Sequence, residues 1–345
     1  MKKTICIILA ALLCGCGAKG SGSEEVSAEP VDSLPEDREA AAEEITKGDY
    51  DNFTFAEGFS VEYAAEAAVC TAKPAEGMES GAEGLFSYYL GEYDSGAVVS
   101  DGGTVHAETA ERFALITDSG SICLSEKSVL NRVLYGTNTE YLSTYVFGSD
   151  DSTEELKYNG TAVTAEELKK AAEAMIAEVA EASGFSNELR PFGASVQVLE
   201  DGTAAATVHS RTVIEGLPIF DTMSAKNEYS FEICDLPPAC CIFTEGSAVQ
   251  EYTVGQELVI TDRQPCDIIA PDAAMDLASE KLSAYQSLEV QREELVLMPK
   301  YPDSSRTSLS LEPYWVIWFC TDWWHECFAA VDARSGEVEF VKNSY

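Results

Sequence analysis

The sequence is short of basic residues. It has 22 lysines and arginines against 60 aspartates and glutamates, which gives a formal net charge of −38 at pH 7. Nucleic acids and anionic lipid headgroups repel a surface of this sign, so the composition argues against direct binding to either. No calcium-loop spacing of the type D-x-D-x-D-G accompanies the acids. We therefore interpret the acidity as a source of solubility outside the cell, and we expect no bound metal.

The residue patterns of common catalytic sites are also missing. The three histidines, His106, His209 and His325, are far apart, and no G-x-S-x-G or phosphate-loop glycine pattern accompanies them. His209 lies in the strand-like run ATVHSRTV, where a structural histidine is the default interpretation. We accordingly expect a protein that is not an enzyme and that carries no cofactor.

Long apolar runs are confined to the start of the chain. Residues 1–4 are cationic, and the apolar run 5–14 is too short to span a bilayer as a helix, which is typical of an export signal. The following LCGC resembles the lipobox of bacterial lipoproteins. That resemblance implies that 1–15 is a signal peptide and that Cys16 carries the lipid (palmitate). An ordinary secretory signal with incidental cysteines is the alternative.

The segment after Cys16 has the composition of a tether. Residues 16–50 are rich in glycine, serine, alanine and acid, so they are predicted to be a disordered acidic linker. A short exposed helix could form within SLPEDREAAAEEI, since Ser33 and Glu36 have capping-box spacing. No later segment is long and apolar enough to span a bilayer. We therefore expect a cell-membrane protein that is anchored by the lipid on Cys16 and faces outside.

The remaining chain is long enough for more than one domain, with 46% apolar residues over the whole sequence. Residues 51–155 read as a β-rich N-terminal domain, with strands predicted in VEYAAEAAVCTAKP, FSYYLGEY, RFALITDSGSICL and EYLSTYVF. The chain then changes to helix followed by strands, and it does so twice. We divide this part into two helix-plus-sheet units, 156–262 and 263–345.

Two helices begin these units. Thr164 and Glu167 form a capping box at the start of the first helix, and Gly184 is its stop signal. The predicted buried face of this helix consists of Leu168, Ala172, Met175, Val179 and Ala182. Pro271 marks the start of the second helix, whose helically spaced residues are Ala274, Leu277, Ala278 and Lys281. The predicted fold class is α+β: a β-rich N-terminal region followed by two helix-plus-antiparallel-sheet units.

The last strands resemble a known domain. LEPYWVIWF followed by FAAVDARSGEVEFV is similar to the end of a PepSY-type domain, and RTVIEGLPIFD at 211–221 resembles a segment of PepSY-like repeats in extracytoplasmic accessory proteins of the YycH/YycI type. The resemblance covers 164–345 at most. It implies two PepSY-like units with a binding or regulatory role outside the membrane, and it brings no catalytic residues.

Two Asp-Ser-Gly triplets raise the question of an aspartic protease. Asp94 and Asp118 each begin such a triplet, and protease chemistry would need two carboxylates that share a proton. The triplets are only 24 residues apart, so they cannot be equivalent loops of two lobes. Asp-Ser-Gly is also a common turn between strands, which is the interpretation that we prefer.

The segment FCTDWWHEC lies between two predicted strands. If these strands form a hairpin, Cys320 and Cys327 could form a disulfide across it or remain two core thiols, and a zinc site would need a further ligand from elsewhere. Trp323 and Trp324 at the tip could form an exposed partner-binding patch. A tip that folds back onto the core is the alternative.

Eight cysteines remain after Cys16. They are Cys70, Cys123, Cys234, Cys240, Cys241, Cys266, Cys320 and Cys327. An even number outside the cell permits four disulfides, whereas an anaerobic habitat could leave all eight reduced. Adjacent Cys240 and Cys241 should point to opposite faces of a strand. A mixture of states is our interpretation, with Cys234 and Cys240 among the candidate pairs.

These observations predict a lipid-anchored extracytoplasmic protein that binds or modulates an envelope protein partner. A substrate-binding lipoprotein for a small ligand or peptide is the alternative, although the βα alternation of a two-lobed binding protein is missing. A large pocket would favour the carrier, and a surface without one would favour the partner-binding protein.

Overall fold

A computed structural model of the chain describes residues 31, 34–35, 37–129, 138–147, 155–199, 202, 204–220, 236, 238–285, 287–302, 307–319 and 327–342. Within these residues the fold is built from four α-helices, two large β-sheets and a two-stranded hairpin. The predicted α+β class is confirmed. None of the helices in the described part of the chain is long and apolar enough to cross a membrane.

The helices and strands follow one another in this order along the chain. The helices are α1 (Arg38–Thr46), α2 (Ala82–Leu90), α3 (Ala165–Ser183) and α4 (Pro271–Lys281). The strands before α3 are β1 (Phe53–Glu62), β2 (Ala68–Pro74), β3 (Val99–Asp101), β4 (Thr104–Glu108), β5 (Arg112–Thr117), β6 (Ile122–Glu126), β7 (Asn138–Val146), β8 (Glu155–Tyr158) and β9 (Thr161–Thr164). Those after it are β10 (Glu188–Leu199), β11 (Ala204–Ile214), β12 (Leu217–Pro218), β13 (Ala239–Phe243), β14 (Glu251–Val254), β15 (Leu258–Pro265), β16 (Leu288–Lys300), β17 (Leu309–Trp318), β18 (Cys327–Asp332) and β19 (Val338–Lys342).

The seven-stranded sheet joins the two ends of the chain. Its main order is β1-β16-β17-β18-β19, and β2 pairs with both β15 and β17. The β1–β16 pair is parallel and the other pairs are antiparallel. Both α1 and α4 pack on this sheet, and their buried side chains join its apolar core. The two strands predicted on either side of FCTDWWHEC are present as β17 and β18, and they pair antiparallel, as a hairpin requires.

The ten-stranded sheet uses the middle of the chain. Its order is β3-β4-β5-β6-β14-β13-β11-β10-β7, with β12 paired to β11, and every pair is antiparallel. Helices α2 and α3 cover one face, where alternate strand residues form the core. The opposite face carries buried polar side chains, including Ser195, Thr207 and His209.

The predicted caps of α3 are confirmed. Thr164 Oγ1 accepts a hydrogen bond from the Glu167 backbone N–H, the Glu167 carboxylate accepts one from the Thr164 backbone N–H, and Gly184 ends the helix at φ 78°. Four of the five predicted face residues are buried, the exception being half-buried Ala182. In α4, Pro271 begins the helix as predicted, whereas Lys281 is exposed.

Two sequence predictions about the N-terminal half were wrong. FSYYLGEY was predicted as a strand, but it falls largely in α2, because Leu85, Phe86 and Tyr89 have helical spacing and bury one face. The end of the predicted disordered tether is folded. The short helix predicted within SLPEDREAAAEEI is present as α1, but its N-cap is Asp37 rather than Ser33, and it is not fully exposed, because Ile45 is buried in the core of the seven-stranded sheet.

The predicted domain boundaries also differ from the structure. Residues 51–155 do not form a sheet of their own, because β1 and β2 pair with C-terminal strands while β3 to β7 join the ten-stranded sheet. Each predicted helix-plus-sheet unit does contain a helix and a four-stranded antiparallel meander: β10, β11, β13 and β14 after α3, and β16 to β19 after α4. Both meanders are extended by strands from distant parts of the sequence.

Candidate functional site: a cleft between the two sheets

The two sheets meet at a short hairpin. Glu215 and Gly216 connect β11 to β12 with φ angles of 54° and 81°, the positive pair required by a two-residue type I′ turn. The chain then passes to the other sheet, where Ile219 pairs with Leu297 in parallel and the Phe220 backbone N–H donates to the Leu297 carbonyl at 2.9 Å. The RTVIEGLPIFD segment is therefore the connection between the two sheets.

A cleft of about 170 Å³ lies beside this connection. It is lined by β10, β11 and β12 on one side, and by α1, β1 and β16 on the other. A register shift between Pro191 and Gly193 places Phe192 at a bulge on its wall. The charged lining consists of four arginines, Arg38, Arg190, Arg211 and Arg292, and two glutamates, Glu62 and Glu294.

The floor of the cleft is a buried ion pair. Arg211 Nη1 lies 3.0 Å from both carboxylate oxygens of Glu294, and the two side chains are only 4% and 8% exposed. Trp318 Nε1 donates to Glu294 Oε1 at 2.8 Å, and Arg292 Nη2 lies 3.5 Å from the same oxygen. Burial by itself would raise the pKa of Glu294, but the charges of Arg211 and Arg292 and these hydrogen bonds lower it to about 2.

Aromatic rings hold three of the guanidinium groups in place. Arg211 lies over the Phe192 ring with its Cζ 4.2 Å from the centroid, Arg292 lies 5.0 Å from the Trp318 centroid, and Arg38 lies 5.4 Å from the Tyr63 centroid. These distances are within the range of cation–π attraction. A guanidinium that rests on a ring keeps its planar edge of N–H donors for a ligand.

The arginines at the mouth of the cleft are accessible. Arg38 and Arg190 side chains are 51% and 54% exposed, and each makes one surface ion pair, with Glu62 at 3.0 Å and Glu188 at 2.8 Å. Exposed pairs of this kind are weak and exchange readily with other anions. With four cationic and two anionic side chains, the lining is locally positive on a chain whose net charge is −38. This arrangement can accept a carboxylate.

Of the four arginines of the cleft, only one lay in a segment that the sequence analysis had singled out. Arg211 lies in the segment that resembles PepSY-like repeats, but Arg38, Arg190 and Arg292 carried no signal of their own. Strand pairing brings them together from positions far apart in the chain. No local pattern could have predicted that.

The structure separates the two aspartates of the protease hypothesis into two turns. The Asp94 carboxylate accepts the Gly96 backbone N–H at 2.9 Å, and the Asp118 carboxylate accepts the Gly77 backbone N–H. The Asp94 contact is the local one expected of an Asp-Ser-Gly turn, whereas the Asp118 contact is to a backbone group 41 residues away in the sequence, and no hydrogen bond links the two aspartates.

His209 is buried, as its strand context predicted. Its Nε2 lies 3.2 Å from Ser195 Oγ, its Nδ1 lies 3.5 Å from Cys240 Sγ, and burial lowers its pKa to about 3. The ring is therefore neutral at physiological pH. His106 lies on β4, where its ring is 5.9 Å from that of Phe113.

The cysteines follow the predicted strand alternation. Cys241 lies in the core beneath the helices, whereas Cys240 faces the opposite side of β13. Cys70, Cys123, Cys241 and Cys266 are free thiols. Burial raises the pKa of Cys123 to about 12, so its thiol is protonated and unreactive.

Several predicted site residues lie outside the described residues: Cys16, Cys234, Cys320, Trp323, Trp324 and His325. The predicted Cys320–Cys327 disulfide and the Trp323–Trp324 patch therefore stay predictions. In the part of the chain that the structure describes, no three His, Cys, Asp or Glu side chains are arranged to hold a metal ion.

Comparisons with known proteins support the fold and go no further. No protein-family model matches the sequence, and no curated protein matches it. Among solved structures, the chain is similar to the crystal structure of an uncharacterized protein from Eubacterium rectale ATCC 33656, with 13% identity and a TM-score of 0.53. The match covers 84% of this chain and 92% of that one. At this identity the similarity shows the fold alone.

Proposed function

We propose that this chain is a lipid-anchored extracytoplasmic protein that binds an envelope protein partner without catalysis. The inter-sheet cleft receives an acidic segment of that partner. The observation that carries the proposal is the convergence of four guanidinium groups on one cleft of a chain with a net charge of −38. A local positive site on an acidic surface favours an anionic group at one place and repels it elsewhere, which gives specificity.

The size of the cleft favours a partner over a carried ligand. Small-molecule pockets usually enclose about 300–1,000 Å³, whereas this cleft encloses about 170 Å³. That volume suits one carboxylate side chain or a chain terminus, presented by a larger molecule that covers the rim. Arginine is the residue best suited to this contact, because its planar donors match the two oxygens of a carboxylate.

The anchor and the PepSY-like units complete the proposal. The lipid on Cys16 would hold the protein on the outer surface of the cell membrane, where an envelope partner is within reach. Two PepSY-like units are consistent with the two helix-plus-meander arrangements. Replacing Cys16 with Ser should abolish palmitate incorporation, while replacing Cys14 with Ser should leave the lipid in place.

An acidic peptide tests the cleft directly. We expect a fluorescently labelled pentaglutamate peptide to bind the purified protein at low salt and to be released as salt rises. The double variant Arg38→Gln/Arg190→Gln should lose this binding. The control Lys47→Gln/Lys170→Gln removes the same two positive charges from exposed ion pairs on α1's end and on α3. If both double variants lose peptide binding equally, the binding is a general effect of charge and the cleft is not the peptide site.

The partner itself is tested on intact cells. A tagged protein is cross-linked, and captured proteins are quantified by mass spectrometry. A partner of the cleft is captured by the wild type and by the lysine control and is lost with the arginine double variant. If no protein shows this difference, and a small molecule instead raises the melting temperature through the cleft, the carrier alternative replaces the proposal.

A further inference from the structure

A second groove lies on the helical side of the ten-stranded sheet. It has a volume of about 360 Å³ and lies between α2, α3 and the chain before β14. Tyr88, Tyr89, Arg112, Met175 and Glu178 contribute to its lining. Its volume is within the range of small-molecule sites, and it is separate from the inter-sheet cleft, with which it shares no lining residue.

Arg112 is held in the groove without an acidic partner. Its Nη1 donates to the Tyr89 carbonyl at 2.7 Å, and its Cζ lies 5.2 Å from the Tyr89 ring centroid. The other arginines that the structure describes, at positions 38, 190, 211, 263, 292 and 334, each have a carboxylate within 4.0 Å. Arg112 does not, although the chain has 60 acidic residues. This guanidinium is oriented and available to bind an anion.

Tyr89 is the support that holds Arg112 in place. Its backbone carbonyl accepts from the guanidinium, and its ring lies next to the same group. The residue is only 8% exposed and its hydroxyl is buried, so the side chain is a fixed part of the wall and its hydroxyl is not a ligand contact.

Glu178 of α3 supplies a negative charge to the same groove. Tyr88 OH donates to Glu178 Oε2 at 2.6 Å and lies 3.5 Å from Met175 Sδ. This hydrogen bond orients the carboxylate from α3 and leaves its second oxygen for a ligand. Tyr88 is 38% exposed, so its ring is accessible to a ligand in the groove. The groove therefore combines one cation, one anion and an aromatic wall.

We infer that this groove binds a free amino acid with an aromatic or large apolar side chain. The ligand carboxylate pairs with Arg112, the ammonium pairs with Glu178, and the side chain packs against Tyr88 and Met175. A zwitterion matches both charges at once, whereas a purely anionic or cationic ligand leaves one of them unused. This site is independent of the inter-sheet cleft, and either can fail without the other.

Three probes distinguish the two charged contacts: L-phenylalanine, 3-phenylpropanoate, which lacks the ammonium, and phenethylamine, which lacks the carboxylate. Binding to the purified protein is measured by calorimetric titration. We expect L-phenylalanine to bind most tightly. Arg112→Gln should lower the affinity for L-phenylalanine about tenfold and leave the affinity for phenethylamine unchanged. Glu178→Gln should lower the affinity for L-phenylalanine and leave the affinity for 3-phenylpropanoate unchanged. Lys47→Gln, which removes one positive charge from an exposed ion pair outside both sites, is the control and should change none of these affinities.

The proposed amino-acid site is refuted if the wild type does not bind L-phenylalanine at about 10 mM. It is also refuted if Arg112→Gln lowers the affinity for phenethylamine as much as the affinity for L-phenylalanine.

Discussion

Arg211 Nη1 of the ten-stranded sheet lies 3.0 Å from both carboxylate oxygens of Glu294 in the seven-stranded sheet, and neither side chain is more than 8% exposed. This ion pair joins the two sheets at the floor of the cleft. A buried pair of this kind adds little net stability over well-packed apolar residues, but loss of one partner leaves a buried charge without compensation.

The first prediction concerns this asymmetry. Arg211→Met should lower the free energy of unfolding by about 3–5 kcal/mol, because Glu294 would then be a buried carboxylate without its main counter-charge. The double variant Arg211→Met/Glu294→Met should recover most of that loss. Urea denaturation of the wild type and the two variants measures the difference. A double variant that is less stable than the single one would contradict this account of the pair.

A second prediction concerns acid stability. The pKa of Glu294 is lowered from 4.5 to about 2, so its contribution to stability is present above pH 4.5 and is lost as the pH falls toward 2. The wild type should therefore lose more stability between pH 4.5 and 2 than Arg211→Met/Glu294→Met does. Thermal unfolding across this range tests the prediction. Parallel pH profiles for the two proteins would be evidence against it.

The neighbouring glutamate has the opposite pH dependence. Glu293 is fully buried on β16 between Val61 and Ile317 of the adjacent strands, and neither carboxylate oxygen has a hydrogen-bond partner. Burial, with the charge of Asp272, raises its pKa well above 4.5. Its neutral form stabilises the fold fully below pH 4.5, and this contribution is lost as the pH rises toward the folded-state pKa.

The third prediction follows from this sign. Glu293→Gln, which cannot ionise, should be more stable than the wild type at pH 7, and the gain should shrink toward pH 4. Glu289→Gln, an exposed change on the same strand, is the matched control and should show no such trend. Chemical denaturation at the two pH values provides the measurement. A gain that is equal at pH 4 and pH 7 would show that ionisation is not its cause.

The fourth prediction concerns the start of α3. Thr164→Ala removes the side chain that accepts the Glu167 backbone N–H at 3.1 Å and should cost about 1 kcal/mol of stability. Glu173→Ala, an exposed change in the middle of the same helix, should cost much less. The two variants are compared by urea denaturation. If their losses are equal, the cap contributes nothing beyond the removal of surface atoms.

Local sequence signals predicted what depends on neighbouring residues. The capping box at Thr164, the stop at Gly184, the helix start at Pro271 and the strands β17 and β18 are all present, because each depends on residues a few positions apart. FSYYLGEY shows the limit of this approach. A short apolar run is compatible with a strand or a helix, and packing of α2 against α3 decided for the helix.

The sequence alone was sufficient for the acidic surface, the α+β class and the two helix-plus-strand arrangements, since composition and periodicity are properties of the chain. The tertiary structure decided which strands pair. It joined β1 and β2 to strands more than 200 residues later, brought four arginines into one cleft, and placed Arg112 against the backbone carbonyl of Tyr89. Such contacts depend on the register of distant strands and on desolvation at their junctions, and neither quantity is encoded within any short stretch of residues.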